Sequence, residues 1–165
     1  MERTIFLGGT VGAHPWREQI VIPGLLAKGV PEQAIFNPVV TSWDEAAQQR
    51  EDQAKADPTY LLLYVLASPE YQPESVTVSG YSLVEAVMSL YEAPRRTVLV
   101  FDTALMSRRT AKGMRKAAQD LQERFPTAPI FLTYAEAIVW LAEHVEVPPT
   151  EGVDPLFDDN LDPLP

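Results

Sequence analysis

Apolar residues along this chain fall into five short blocks separated by longer stretches with helical spacing. The blocks are rich in Val, Ile, Leu, Phe and Tyr and predict strands at Thr4–Gly8, Ala34–Asn37, Tyr60–Ala67, Thr97–Asp102 and Pro129–Leu132. The third and fourth are almost wholly apolar, as strands buried on both faces of a parallel sheet must be. Helical spacing predicts helices at about Trp16–Lys28, Trp43–Lys55, Leu83–Tyr91, Arg108–Arg124 and Ala135–His144. Pro23-Gly24 is expected to bend or break the first of them. Ser42 with Glu45, and Ser82 with Glu85, each fit a capping box at a helix start. No internal repeat is visible, and no linker precedes residue 147.

Strict alternation of five strands with helices implies an α/β fold of three layers, a doubly wound parallel sheet with right-handed crossovers. The expected strand order is 2-1-3-4-5. Ligands of such sheets sit beyond the carboxyl ends of the strands, where the order reverses. That rule points to three loops: Gly8 to Trp16, Asn37 to Trp43, and Ser68 to Ser82.

Composition narrows the function classes. At 165 residues the chain is the size of one domain. It has no apolar run of the roughly 18 residues a membrane helix needs, so no membrane partner is expected. The N-terminus runs into strand-like Thr4-Ile5-Phe6-Leu7 without the pattern of a signal peptide, and a cytoplasmic location is expected. The absence of cysteine excludes disulfides and thiolate metal sites; no metal and no cofactor is expected. A net charge of −10 argues against a nucleic-acid polymer as partner. It does not argue against a single nucleoside or nucleotide, whose one phosphate backbone amides can cradle. Residues 147–165 hold Glu151, Asp154, Asp158, Asp159 and Asp162 without Lys or Arg, and five prolines. They predict an extended acidic tail after a domain spanning residues 1–146. Leu156, Phe157, Leu161 and Leu164 suit docking of that tail onto its own domain or a neighbour, in a homo-oligomer.

Several residues at the three loops are candidates for chemistry. Gly8-Gly9-Thr10 follows the first strand, with Gly12 close behind, so backbone amides can approach a ligand there. The spacing is neither G-x-G-x-x-G nor a Walker motif; the alternative is a tight turn alone. Asn37-Pro38 ends the second strand, and Trp43-Asp44-Glu45 opens the next helix. An aromatic ring beside carboxylates suits a flat heterocycle, although Trp43 also reads as a packing residue. Trp16 and Arg17 have the same two readings. Glu85 is either the return arm of a capping box or a carboxylate placed over the crevice by Gly80-Tyr81-Ser82. In the second reading it can attack an anomeric carbon. His14 lies in the first loop and His144 at a helix C-terminus, and neither joins a catalytic or metal-ligating set. Arg108, Arg109, Lys112, Arg115 and Lys116 make a basic helix, read as a solvated face or as a partner of the tail or a neighbouring subunit.

Taken together, these motifs resemble the nucleoside 2-deoxyribosyltransferase superfamily, in its broader "-like" branch. The resemblance rests on Ile5-Phe6-Leu7-Gly8-Gly9-Thr10, Trp16-Arg17, Phe36-Asn37-Pro38 with Trp43, Ala56-Asp57, strand Leu61–Val65, and Ser82-Leu83-Val84-Glu85. It covers roughly residues 4 to 102. It implies a flavodoxin-like (Rossmann-like) fold and a glycosyl-enzyme intermediate on Glu85. It also implies a pocket lined or supported by Gly8, Gly9, Asn37, Trp43 and Asp57; by their places at the three loops, Thr10, Trp16, Asp44, Tyr81 and Ser82 are expected as further contacts. Asp44 or Asp57 would protonate the departing base. One position departs from the pattern: Ser79 stands where characterised transferases carry an aspartate six residues before the nucleophile. The expected activity is cleavage or transfer at an N-glycosidic bond of a small nucleoside- or nucleotide-like substrate. The alternative is a non-catalytic sensor of a nucleotide-derived ligand on the same scaffold.

Overall fold

β1 (Thr4–Gly9) alternates its side chains between two apolar layers, and this alternation organises the molecule. Ile5 and Leu7 face one layer with Leu61, Leu63, Val65, Val98 and Val100. Phe6 faces the other with Leu62, Tyr64, Leu66, Leu99 and Phe101. The computed structural model describes residues 3–10, 15–42, 44–67, 79–104 and 106–145. The strands are β1, β2 (Ile35–Phe36), β3 (Tyr60–Ala67), β4 (Thr97–Phe101) and β5 (Ile130–Phe131). They form one five-stranded, all-parallel sheet in the order β2-β1-β3-β4-β5. The fold is therefore the expected doubly wound, flavodoxin-like α/β arrangement.

Helices cover both faces, as parallel strands with no solvent-facing side require. On the Ile5 face lie α1 (Ile22–Ala27), preceded by a π-helical turn at Arg17–Val21, and α5 (Tyr134–Val145). On the Phe6 face lie α2 (Glu45–Ala56), α3 (Gly80–Glu92) and α4 (Arg108–Arg124). Among the described residues, no helix is long and apolar enough to cross a membrane.

Three local expectations change. Pro23 does not end the first helix, because it falls in the first turn of α1, where a missing N–H costs little. The preceding wide turn absorbs the mismatch, with the Ile22 N–H donating to the Arg17 carbonyl. Gly24 lets α5 approach: a Cβ there would lie 2.6 Å from Ile138 Cδ1. Neither capping box forms. α2 is capped by Asp44, whose Oδ1 accepts from the Ala47 N–H at 2.8 Å. α3 starts three residues earlier than the spacing predicts, capped by Ser79, whose Oγ accepts from the Ser82 N–H at 3.2 Å. In both cases a good cap lies near the expected one, and the chain uses it. The tail at residues 147–165, and with it the docking expectation, lies outside the described residues, as do Gly12 and His14.

Gly9 is the tightest point of the sheet. Its φ is +109°, and a Cβ on it would lie 2.5 Å from both the N and the O of Val65 on β3. Gly29 also has a positive φ, of +86°, but opens onto empty space. Gly9→Ala is expected to destabilise by about 3 kcal/mol or more, since strain and overlap add. Gly29→Ala should cost only about 1 kcal/mol, from the backbone conformation alone. Urea denaturation of the two variants checks the contrast; equal losses would remove the claim of a contact-limited site at Gly9.

Candidate functional site

A cavity of about 440 Å³ opens at the carboxyl end of β1. Its floor is Phe6, Gly8 and Gly9, and its walls come from four segments: Arg17; Pro38, Val39 and Val40 after β2; Gln48 and Glu51 of α2; and Ser79, Tyr81, Ser82 and Glu85 at the start of α3. This is the crevice position expected for a doubly wound sheet. Its volume is within the range of small-molecule sites.

Thr10, just beyond β1, is held from three sides. Its N–H donates to the Val65 carbonyl at 3.0 Å, and its carbonyl accepts from Trp16 Nε1 at 2.9 Å. Its Oγ1 accepts from the Ser79 N–H at 3.2 Å, joining the end of β1 to the cap of α3. Arg17 is buried beneath, donating from Nε to the Leu7 carbonyl at 2.9 Å and from Nη2 to the Gly9 carbonyl at 3.1 Å. Its guanidinium lies 4.1 Å from the centre of the Trp16 ring. Burial pulls the Arg17 pKa down to about 10, outweighing the attraction of Glu18 and Glu51, so it remains cationic at neutral pH.

The opposite wall is a charge cluster spanning two helices. Lys55 of α2 donates to Glu85 of α3, and to Glu51 one turn earlier on its own helix at 3.2 Å. The three side chains are between 15 and 18 % exposed, so the network is largely withdrawn from water. Burial alone would lower the Lys55 pKa; the hydrogen bond and charge of Glu85, then of Glu51, outweigh it and hold the ammonium above its ordinary range. Burial, with the nearby charges of Glu85 and Asp52, raises the Glu51 pKa against the opposing pull of Lys55. Lys55 engages Oε1 of Glu85, and Oε2 has no hydrogen bond among the described residues. Because α3 begins at Gly80, Glu85 falls in its second turn, clear of the capping position, and stands on the cavity wall.

The candidate residues therefore divide. Gly8, Gly9, Tyr81, Ser82 and Glu85 line one cavity. Thr10 and Trp16 do not line it: Thr10 is the brace described above, and Trp16 is a core residue, 1 % exposed and stacked on Tyr134 at 6.4 Å. Asn37 lies outside the lining, donating from Nδ2 to Glu18 at 3.1 Å and accepting from the Val39 N–H to shape the adjacent turn. Asp44 is the exposed cap of α2. Asp57 is at the far, amino edge of the sheet, ahead of β3, beside a separate 280 Å³ recess. Its Oδ1 accepts from the Thr59 N–H and hydroxyl at 2.8 and 2.7 Å, bonds that lower its pKa and set the turn into β3. Trp43 lies outside the described residues. Ser79, at the position that departs from the transferase pattern, serves as the cap of α3 and as a lining residue.

Gln48, Glu51 and Lys55 are site residues that sequence reasoning passed over. Their signal is periodic: they recur at i, i+3 and i+7, next to the buried Ala47 and Ala54. A polar stripe bordering the buried side of a helix, with no apolar competitor, marks a wall rather than a solvated face. Among the described residues, no group of three His, Asp or Glu side chains converges as a metal site would. In comparison with known proteins, the chain matches no family model, no curated protein and no solved structure.

Two outcomes follow from the cluster. Lys55→Met strands two largely buried carboxylates and is expected to cost about 1–3 kcal/mol, less than a fully buried pair because water still reaches the site. Thermal unfolding checks this, and an unchanged Tm would show that the network holds nothing. Glu51 binds its proton more tightly when folded, so its contribution favours the folded state below its ordinary value near 4.5 and is lost as pH rises through the higher folded value. Urea denaturation between about pH 4 and 7 should find stability falling across that window in the wild type. Glu51→Gln should flatten the slope.

Proposed function

We propose that the chain is an N-glycosidic-bond enzyme, a transferase or hydrolase of nucleoside- or nucleotide-like substrates, with Glu85 as nucleophile. The observation that carries this reading is the position of Glu85. It is released from helix capping by Ser79, it stands on the wall of the switch-point cavity, and it is paired with the Lys55 ammonium. The resemblance to the nucleoside 2-deoxyribosyltransferase superfamily supports the same assignment. A carboxylate close to an anomeric carbon stabilises an oxocarbenium-like transition state and then forms the glycosyl ester. As that carbon–oxygen bond forms, the bond to the base breaks, and the leaving nitrogen takes up a proton. Water or a second base then displaces Glu85.

Glu51 is the acid this wall offers for the departing base. It shares the Lys55 ammonium with Glu85, and its burial favours the protonated form. Asp44 and Asp57 lie elsewhere. Gly8 and Gly9 bring backbone to the floor, and Tyr81, 71 % exposed at the rim, offers a ring for a heterocycle to stack on.

A second reading, a non-catalytic sensor of a nucleotide-derived ligand, is favoured by the Lys55–Glu85 pair itself, which also serves to clamp α2 to α3. One experiment separates the two. Purified protein is incubated with a panel of nucleosides and nucleotides, and free base is followed by chromatography. The enzyme releases or exchanges base; the sensor binds without turnover. On the best substrate, Glu85→Gln should lower turnover by orders of magnitude while the fold survives. A 2-fluoro sugar analogue should leave a covalent adduct on the peptide containing Glu85, read by mass spectrometry. Near wild-type turnover in Glu85→Gln would end the catalytic assignment.

A further inference from the structure

A second, larger cavity of about 640 Å³ shares no lining residue with the first. It runs from the carboxyl end of β4 along α4, and four cationic side chains border it: Arg108, Lys112, Arg115 and Lys116. Thr103, just beyond β4 and buried, stands at its inner end. The four cations occupy positions i, i+4, i+7 and i+8 of α4, one stripe about 12 Å long at 1.5 Å per residue. The buried residues Ala111 and Ala118 sit on the neighbouring face.

This arrangement works against the stability of the helix. Arg108 is the first residue of α4, where the helix dipole disfavours a cation. Arg108 with Lys112, and Lys112 with Lys116, are like charges one turn apart. Only Lys116 has a carboxylate partner among the described residues: Asp120, at 2.8 Å one turn further along the helix. Arg115 Nε instead donates to the Thr103 hydroxyl at 3.3 Å, which orients the guanidinium along the groove. The nearest acid in the loop, Asp102, turns to accept from the Ala104 N–H and does not line the cavity. Among the described residues, Arg108, Lys112 and Arg115 therefore border the groove without a carboxylate partner.

We propose that this groove binds a small molecule carrying two or more linked phosphate groups, held by Arg108, Lys112, Arg115 and Lys116. Paired arginines and lysines suit phosphate oxygens, which accept forked and point-charge donors alike. The concave shape and volume match a compact ligand. The charge of the whole chain repels a long polyanion, whereas a compact one meets only the local field. The site faces the same edge of the sheet as the first cavity but is independent of it, and stands whether or not Glu85 is a nucleophile.

The test titrates the full chain with inorganic pyrophosphate by calorimetry at low salt and maps the site by amide shifts in heteronuclear NMR. The expected result is saturable one-to-one binding that weakens with added salt, with shifts at Thr103 and along α4 rather than at Gly8 and Gly9. Lys112→Gln and Arg115→Gln should each weaken binding about tenfold, one charged hydrogen bond apiece. Both variants relieve like-charge repulsion, so their melting temperatures should hold or rise, which separates lost binding from lost folding. Three results would overturn the proposal: no saturable binding, unchanged affinity in both variants, or shifts confined to the first cavity. Tighter binding of a short single-stranded DNA than of pyrophosphate would also overturn it, giving the groove to a polymer.

Discussion

At the carboxyl edge of the sheet, the β1 backbone passes Val65 so closely at Gly9 that no side chain fits between them. The rest of the site is referred to that contact. Because Gly9 turns there, the Thr10 N–H reaches the Val65 carbonyl, and Thr10 then receives Trp16 on its carbonyl and Ser79 on its hydroxyl. Arg17 closes the same turn from below through two β1 carbonyls. One residue without a Cβ thus sets the positions of Thr10, the π-helical turn and the cap of α3. The cavity has a backbone floor for the same reason.

The α2–α3 wall is built on a different principle. It is electrostatic where the floor is steric, and it has one cation for two acids. Burial pushes the Glu51 carboxyl toward its neutral form, which eases the excess of acids over cations in a partly dry wall. The basic groove on α4 carries the opposite excess. The two cavities therefore differ in the charges that line them.

Much of the fold was legible in the sequence, because the sheet is parallel. Strands buried on both faces must be continuous apolar runs, and Tyr60–Ala67 and Thr97–Phe101 stand out for that reason. The edge strands β2 and β5 shrink to two residues each, since an edge strand has only one neighbour to pair with. Helix starts were less legible, because Ser79 and Ser82 are both good caps and only tertiary contact, here with Thr10, selects one. At the site, Gly8 and Gly9 were legible because backbone approach requires glycine. Trp16 was not, because an aromatic residue after a strand has two destinations and its indole N–H found a backbone carbonyl inside. Asp57 was expected at the pocket by resemblance alone and lies at the amino edge of the sheet, where it shapes a turn. Glu51 and Lys55 were hidden in a helix polar on nearly every side, where the inward stripe differs from the outward one only by two alanines.

The packing of α1 on α5 has a consequence for sequence change. Gly24 and Ile138 fill one space between them, the missing Cβ of one occupied by the Cδ1 of the other. Volume there is a shared quantity. A chain descended from the same ancestor can enlarge position 24 only by trimming position 138, as from isoleucine to valine or alanine. The two positions, 114 residues apart by their numbers, are bound to drift as a pair, and their joint variation would trace this helix contact through any set of related sequences.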